Sequence, residues 1–196
     1  MPIETERLNL RLFSSQDFQV LRELDSDPAV LRYRSRKSIS PEMTNAFLQE
    51  AQQAHHQVPR TFFAYAITRK KDFQWLGQCG MTTVPTTELH DRHVFLWYSL
   101  LPRYWGFGYM TEAVSALIYV GIMNFGLTLI EGECDPENVP SAKVMERVGL
   151  SYQGEIERED RAGKLVKRRH YEINAQAYKR AYKENKWTCP GVREPY

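Results

Sequence analysis

With 196 residues, 42% of them hydrophobic and 26% charged, the chain has the balance of an ordinary soluble globular domain and not of a disordered tail or a fibrous repeat. Lys and Arg total 26 against 24 Asp and Glu, a net charge of +2, so nucleic acid is not the expected partner. Cys79, Cys134 and Cys189 lie far apart, with no C-x-x-C and no His at metal-ligand spacing, which predicts neither a disulfide scaffold nor a metal site.

Residues 1–12 lack the apolar run of a signal peptide and no later stretch reaches 18 apolar residues, so a cytoplasmic protein with no membrane partner is expected. Leu8, Leu10 and Leu12 alternate with polar residues as in a half-buried strand, and Ser14 or Ser15 can cap a helix from about Gln16. Residues 26–38 read as loop. Ser40-Pro41-Glu42 opens a second helix that runs out by Val58-Pro59. Thr61–Thr68, Trp75–Thr83 and His93–Leu101 are apolar, aromatic-rich stretches separated by polar turns, which predicts three consecutive antiparallel strands.

From Met110 the apolar residues follow i, i+3, i+4, i+7 spacing as far as Phe125, with Gly126 as the stop. Leu127–Cys134 reads as a buried strand, and Asn138–Val148 as a short helix with an Asn cap and an early Pro140. Leu150–Glu155 and Val166–Ile173 make a last strand pair, followed by a helix at Asn174–Lys183. The order predicts one α+β domain over residues 1–183, built on a mixed sheet, with 184–196 as a tail. In that tail, Trp187 and Tyr196 offer apolar surface to a second copy of the chain, which makes a homodimer an open expectation.

The segment Pro102-Arg103-Tyr104-Trp105-Gly106-Phe107-Gly108-Tyr109-Met110 joins a strand to the longest helix. Two glycines there let backbone approach a ligand closely, and a helix N-terminus carries about half a positive charge, so the loop suits an anion such as a pyrophosphate. It is neither a Walker loop nor a Rossmann fingerprint, because G-K-[ST] and the third glycine are absent.

Pro102-x-x-Trp105-Gly106-x-Gly108-Tyr109-x-Thr111-Glu112-Ala113, followed by Asp135-Pro136-Glu137-Asn138-x-x-Ser141-x-x-Val144-x-Glu146-x-x-Gly149, resembles the GNAT acetyltransferase superfamily. The opening Glu4-Thr5-Glu6-Arg7-Leu8-x-Leu10-Arg11 is similar to that of its ribosomal-protein N-terminal acetyltransferase branch. The resemblance implies a three-layer fold with helices on both faces of a mostly antiparallel sheet, splayed between the fourth and fifth predicted strands. It implies transfer of an acetyl group from acetyl-CoA to an amine acceptor, first a protein N-terminus and otherwise a small amine, an antibiotic or a polyamine. A non-catalytic acyl-CoA sensor is the alternative.

By the same resemblance Arg103, Gly106, Phe107, Gly108, Tyr109, Met110 and Thr111 would cradle the diphosphate. A bulge in the fourth predicted strand would free backbone at Tyr98, Ser99 and Leu100 for pantetheine and for the reacting carbonyl. Asn138 would meet the pantetheine amides. Met145 stands where many members have a proton-donating tyrosine, and methionine cannot donate, so Ser141 is the candidate acid, with a capping serine as the plainer alternative. The fourth predicted strand lacks the branch's usual acid. Glu133 is the first candidate base, ahead of Glu88, His90, His93 and Asp135, and Phe95 and Trp97 are the candidate acceptor wall.

Overall fold

The computed structural model describes residues 2–34, 39–85, 92–160 and 163–184. Its centre is an eight-stranded sheet in the order β1-β2-β3-β4-β5-β6-β8-β7, formed by β1 (Ile3–Glu4), β2 (Leu8–Arg11), β3 (Phe62–Arg69), β4 (Trp75–Thr83), β5 (His93–Leu100), β6 (Leu129–Cys134), β7 (Ser151–Glu159) and β8 (Leu165–Asn174). All neighbours are antiparallel except β5 and β6. The alternating leucines of β2 place Leu8 and Leu10 wholly inside.

One face is covered by α1 (Phe18–Ser26), α2 (Pro28–Leu31) and α3 (Pro41–Ala54), whose core includes Leu21, Leu24, Leu48, Phe62 and Trp75. The other carries α4 (Tyr109–Met123), α5 (Val139–Arg147) and α6 (Ala175–Lys183) over a larger core. Local chemistry sets several helix starts: Ser40 accepts from the Met43 N–H and Asn174 from that of Gln176. The α+β reading with helices on both faces holds.

Three local expectations are corrected. Residues 26–38 contain α2, because Asp27 accepts from the Ala29 and Val30 N–H groups and Pro28 sits in the first turn. The long helix ends at Met123, two residues before Phe125; Gly126 takes φ 65° and the Leu127 N–H returns to the Gly121 carbonyl at 3.0 Å. Ile3–Glu4 forms a short edge strand that the pattern did not reveal. Trp187 and Tyr196, the expected dimer contacts, lie outside the described residues.

β5 and β6 pair from His93↔Leu129 to Leu96↔Gly132 and no further. Beyond that point β5 stays on β4 as far as Leu100, and β6 stays on β8 as far as Cys134. The sheet therefore opens in its interior while each lip remains tied to an outer strand. The implied bulge in β5 is absent, since its register with β4 is unbroken from Val94 to Leu100. Parting of the parallel pair alone frees the backbone.

Trp97 lies across Gly80, where an added Cβ would come within 2.1 Å of the indole and 2.3 Å of the Phe63 carbonyl. Because backbone blocks one side, Gly80→Ala is expected to destabilise the fold by about 3 kcal/mol; urea unfolding checks this, and an unchanged midpoint would contradict the packing.

Candidate active site

A cavity of about 1020 Å³ runs through the parting. Phe95, Trp97, Tyr98, Ser99 and Leu100 line it from β5 and Glu133 from β6, with Asn138 and Ser141 from α5. Gly106, Gly108, Tyr109, Met110 and Thr111 close it at the start of α4. Most of the predicted site is thus brought together. Alternation along β5 divides it: Trp97 packs with Phe47 and Phe62 under the α1–α3 face, whereas Tyr98 points to the α4–α5 face.

Gly106 and Gly108 take φ values of 82° and 76°, a region other residues rarely adopt. A Cβ on Gly106 would meet nothing within 4 Å, and one on Gly108 would meet the Arg7 guanidinium at 3.6 Å and nothing else. The space a side chain would fill is open to a ligand, directly before a 15-residue helix. The first turn of that helix carries buried Glu112, neutralised from the N-terminal segment: Arg7 Nε donates to it at 2.6 Å and Thr5 Oγ1 at 2.6 Å. Arg7 also donates to the Phe107 carbonyl at 3.1 Å, so the opening motif of the chain fixes the glycine loop.

One predicted ligand is corrected. Arg103 does not line the cavity, because its guanidinium is paired with Glu23 of α1, which holds the Glu23 carboxyl below its ordinary range. The Phe107 ring also lies outside, exposed and stacked on Tyr109, so its side chain takes no part and only its backbone N–H belongs to the expected cradle. Leu100 is corrected in part: its carbonyl is taken by the Trp105 indole N–H at 2.8 Å. Ser99 receives a bond from Arg34, which is itself paired with Asp25 at 2.7 Å.

Asn138 caps α5 through Oδ1, which accepts from the Ser141 N–H at 3.2 Å. Since the cap uses only the oxygen, the amide NH2 stays available to a carbonyl acceptor. Capping and ligand binding need not compete. Ser141 does not act as a capping serine; its Oγ lies 3.0 Å from the Tyr98 hydroxyl, which also reaches the Ser141 carbonyl at 3.0 Å. Burial pushes the Tyr98 phenol well above its ordinary range, so it remains protonated at neutral pH. Sequence reasoning took Tyr98 as backbone alone and missed its hydroxyl, whose partner lies 43 residues away.

Glu133 stands at the lip of the opening, its Oε1 held by Arg158 at 2.8 Å. Asp135 is occupied by the Glu137 N–H at 2.9 Å, His93 sits back against Glu131, and Glu88 and His90 lie outside the described residues. Cys134, expected in the core, is buried and also lines the cavity, its thiol pushed up to about 11 by burial. Gln78 was not anticipated: it lines the cavity with its Oε1 buried and without a hydrogen-bond partner. Its sole signal in sequence was an amide within the otherwise apolar Trp75–Met81 stretch. An orphaned amide oxygen, an open glycine loop and unpaired sheet edges fit a long ligand with amide groups and an anionic end.

These features define a transferase that takes its acyl group from a coenzyme A thioester. The chain belongs to the GNAT family: the acetyltransferase (GNAT) domain matches residues 7–151. It is an acetyl-CoA-dependent N-acetyltransferase. It is 28% identical over 165 residues to the uncharacterized N-acetyltransferase p20 of Bacillus licheniformis, covering 83% of this chain and 89% of that protein. In fold it is similar to the ribosomal-protein-S5-alanine acetyltransferase of Vibrio fischeri, with TM-score 0.74, 19% identity, and 89% and 97% of the two chains covered. It is likewise similar to the spermidine N-acetyltransferase of Vibrio cholerae, solved with CoA and spermine, with TM-score 0.72, 14% identity and coverage of 87% and 97%.

Gly108→Val places a branched side chain in the open loop at positive φ. It is expected to abolish acetyl-CoA binding by calorimetry while circular dichroism still reports a folded chain; wild-type affinity would refute the loop assignment.

Proposed function

We propose that the protein is a cytoplasmic N-terminal acetyltransferase whose acceptor is the α-amine of a protein or peptide, with Ser141 as the acid and Glu133 as the base. The observation that carries this reading is the Tyr98–Ser141 hydroxyl pair, 3.0 Å apart, on one side of a sheet opening whose other side holds Glu133. Acetyl-CoA supplies the activated acyl group. The Gly106–Thr111 loop holds its diphosphate by backbone N–H groups, and freed backbone on β5 polarises the carbonyl under attack, worth about 3 kcal/mol for one good donor.

Ser141 gives its proton to the departing sulfur. Tyr98, kept protonated by burial, stabilises the serine oxygen as that proton leaves. On the other side, Glu133 accepts the proton lost by the amine, directly or through one water. Its Oε1 is already held by Arg158, which leaves the other oxygen for the amine. An α-amine of pKa about 8 is roughly a tenth neutral at pH 7, whereas a lysine of pKa about 10.4 is neutral in a few parts per ten thousand. The first therefore needs far less help from a base. A polyamine fits less well, because two of the wall carboxylates, Asp25 and Glu133, already have arginine partners. Phe95 and Trp97 would favour an apolar residue beside the amine.

Release of free CoA thiol against a panel of N-terminal peptides, lysine peptides and polyamines tests the acceptor. Turnover is expected with α-amines, rising with pH through the amine pKa of about 8 and levelling off about one unit above it; equal rates on lysine side chains would overturn the reading. Ser141→Ala is expected to lower kcat about 100-fold with acetyl-CoA affinity little changed. Equal loss of both would return Ser141 to a structural role.

A further inference from the structure

On the face of the sheet that carries Phe95 and Trp97, three strands bring together residues the transfer reaction does not use. Glu131 of β6 stands directly opposite Glu172 of β8, and His170 of β8 stands opposite Glu133. The donor atoms of Glu131, His170 and Glu172 all lie within 4.8 Å of one another. His170 Nε2 is 2.8 Å from Glu172 Oε1 and 3.8 Å from Glu131 Oε2.

Two carboxylates facing each other across adjacent strands repel, and both Glu131 and His170 are nine-tenths buried. Among the described residues no Lys or Arg pairs with Glu131 or Glu172; their ion-pairing neighbours are His93 and His170. Two ring nitrogens add independent observations. His170 Nδ1 is buried without a hydrogen-bond partner and faces Glu133 Oε1 at 3.8 Å. His93 Nε2 is also buried without one and faces Glu131 Oε2 at 3.4 Å.

We infer that Glu131, His170 and Glu172 form a binding site for a zinc-type divalent cation. Zinc bonds of about 2.0–2.2 Å in tetrahedral array separate neighbouring donor atoms by roughly 3.3–3.6 Å; the 3.8 Å His170–Glu131 separation lies close to that range, and the 2.8 Å His170–Glu172 contact, a hydrogen bond in the metal-free chain, would open by less than about 1 Å to meet it. Two carboxylates and a neutral imidazole balance the charge of the ion. The orphaned nitrogens then have work that fits metal chemistry, in which a ligating histidine turns its second N–H to a carboxylate and ligating carboxylates are themselves held. His170 ligates through Nε2 and offers Nδ1–H to Glu133, while His93 steadies Glu131. Imidazole together with carboxylate oxygen suits zinc better than magnesium or calcium, which prefer oxygen alone. The absence of His at metal-ligand spacing does not exclude the site, because its ligands come from two strands 39 positions apart at their first and second members.

Metal-stripped full-length protein is titrated with zinc chloride by calorimetry, with bound metal counted by mass spectrometry. One equivalent is expected, with a raised melting temperature. Glu131→Gln and His170→Asn should each abolish stoichiometric uptake, His93→Asn should weaken it about tenfold, and His56→Asn, at an exposed histidine beyond α3, should leave it unchanged. If the stripped protein takes up no zinc, or the ligand variants take it up as well as wild type, the site is refuted. X-ray absorption of zinc-loaded wild type keeps the test decisive if a variant fails to fold: one imidazole among oxygens supports the site, and sulfur in the shell overturns it.

Discussion

The structure depends on a place where hydrogen bonding stops. A central pair of strands normally continues to the sheet edge, because unpaired backbone inside a protein costs free energy. Here β5 and β6 separate after Leu96 and Gly132, yet each stays paired on its outer side. That arrangement confines the loss to the two facing edges. It also accounts for α5 standing so near the gap: Gly132 has no Cβ, and one built there would meet the Met145 sulfur at 3.0 Å. A side chain at 132 would push the helix, and with it Asn138 and Ser141, away from the opening.

A second constraint lies at the head of α4. A buried carboxylate in the first turn of a helix gains from the helix dipole but would repel a diphosphate bound at the same end. Thr5 and Arg7 resolve this by taking both oxygens of Glu112, so the positive end of the helix is left for the ligand. The N-terminal segment, remote in sequence, therefore supports the proposed anion site. The proposed diphosphate site therefore does not rely on Arg103, the nearest cation in sequence, which is engaged with Glu23.

Fold and site were legible to different depths. Periodicity located all but the shortest strand, and capping residues placed most helix starts, because those signals are local. The glycine loop was legible too, since positive φ at Gly106 and Gly108 leaves a mark in residue identity. What escaped was side-chain partnership across strands and helices. Nothing near Tyr98 announces that its hydroxyl meets Ser141, and nothing near Leu100 announces that the Trp105 indole takes its carbonyl. The supposed bulge was wrong for a similar reason: a parted parallel pair and a bulged strand both free backbone, and register alone distinguishes them.

The parting also fixes the direction of the chemistry. Side chains alternate along a strand, so Tyr98 and Glu133, on opposite lips, belong to opposite faces of the sheet. Tyr98 looks toward α5, where its hydroxyl meets Ser141, the proposed proton donor. Glu133 looks toward the side of Phe95 and Trp97, where the acceptor wall stands. In the proposed mechanism, proton donor and proton acceptor are thereby kept apart by the thickness of one sheet, and they communicate through the gap where the strands let go. Were β5 and β6 to zip further by a single residue pair, Trp97 and Glu133 would become ordinary cross-strand neighbours. The sheet would then separate the two reactants that its opening allows to meet.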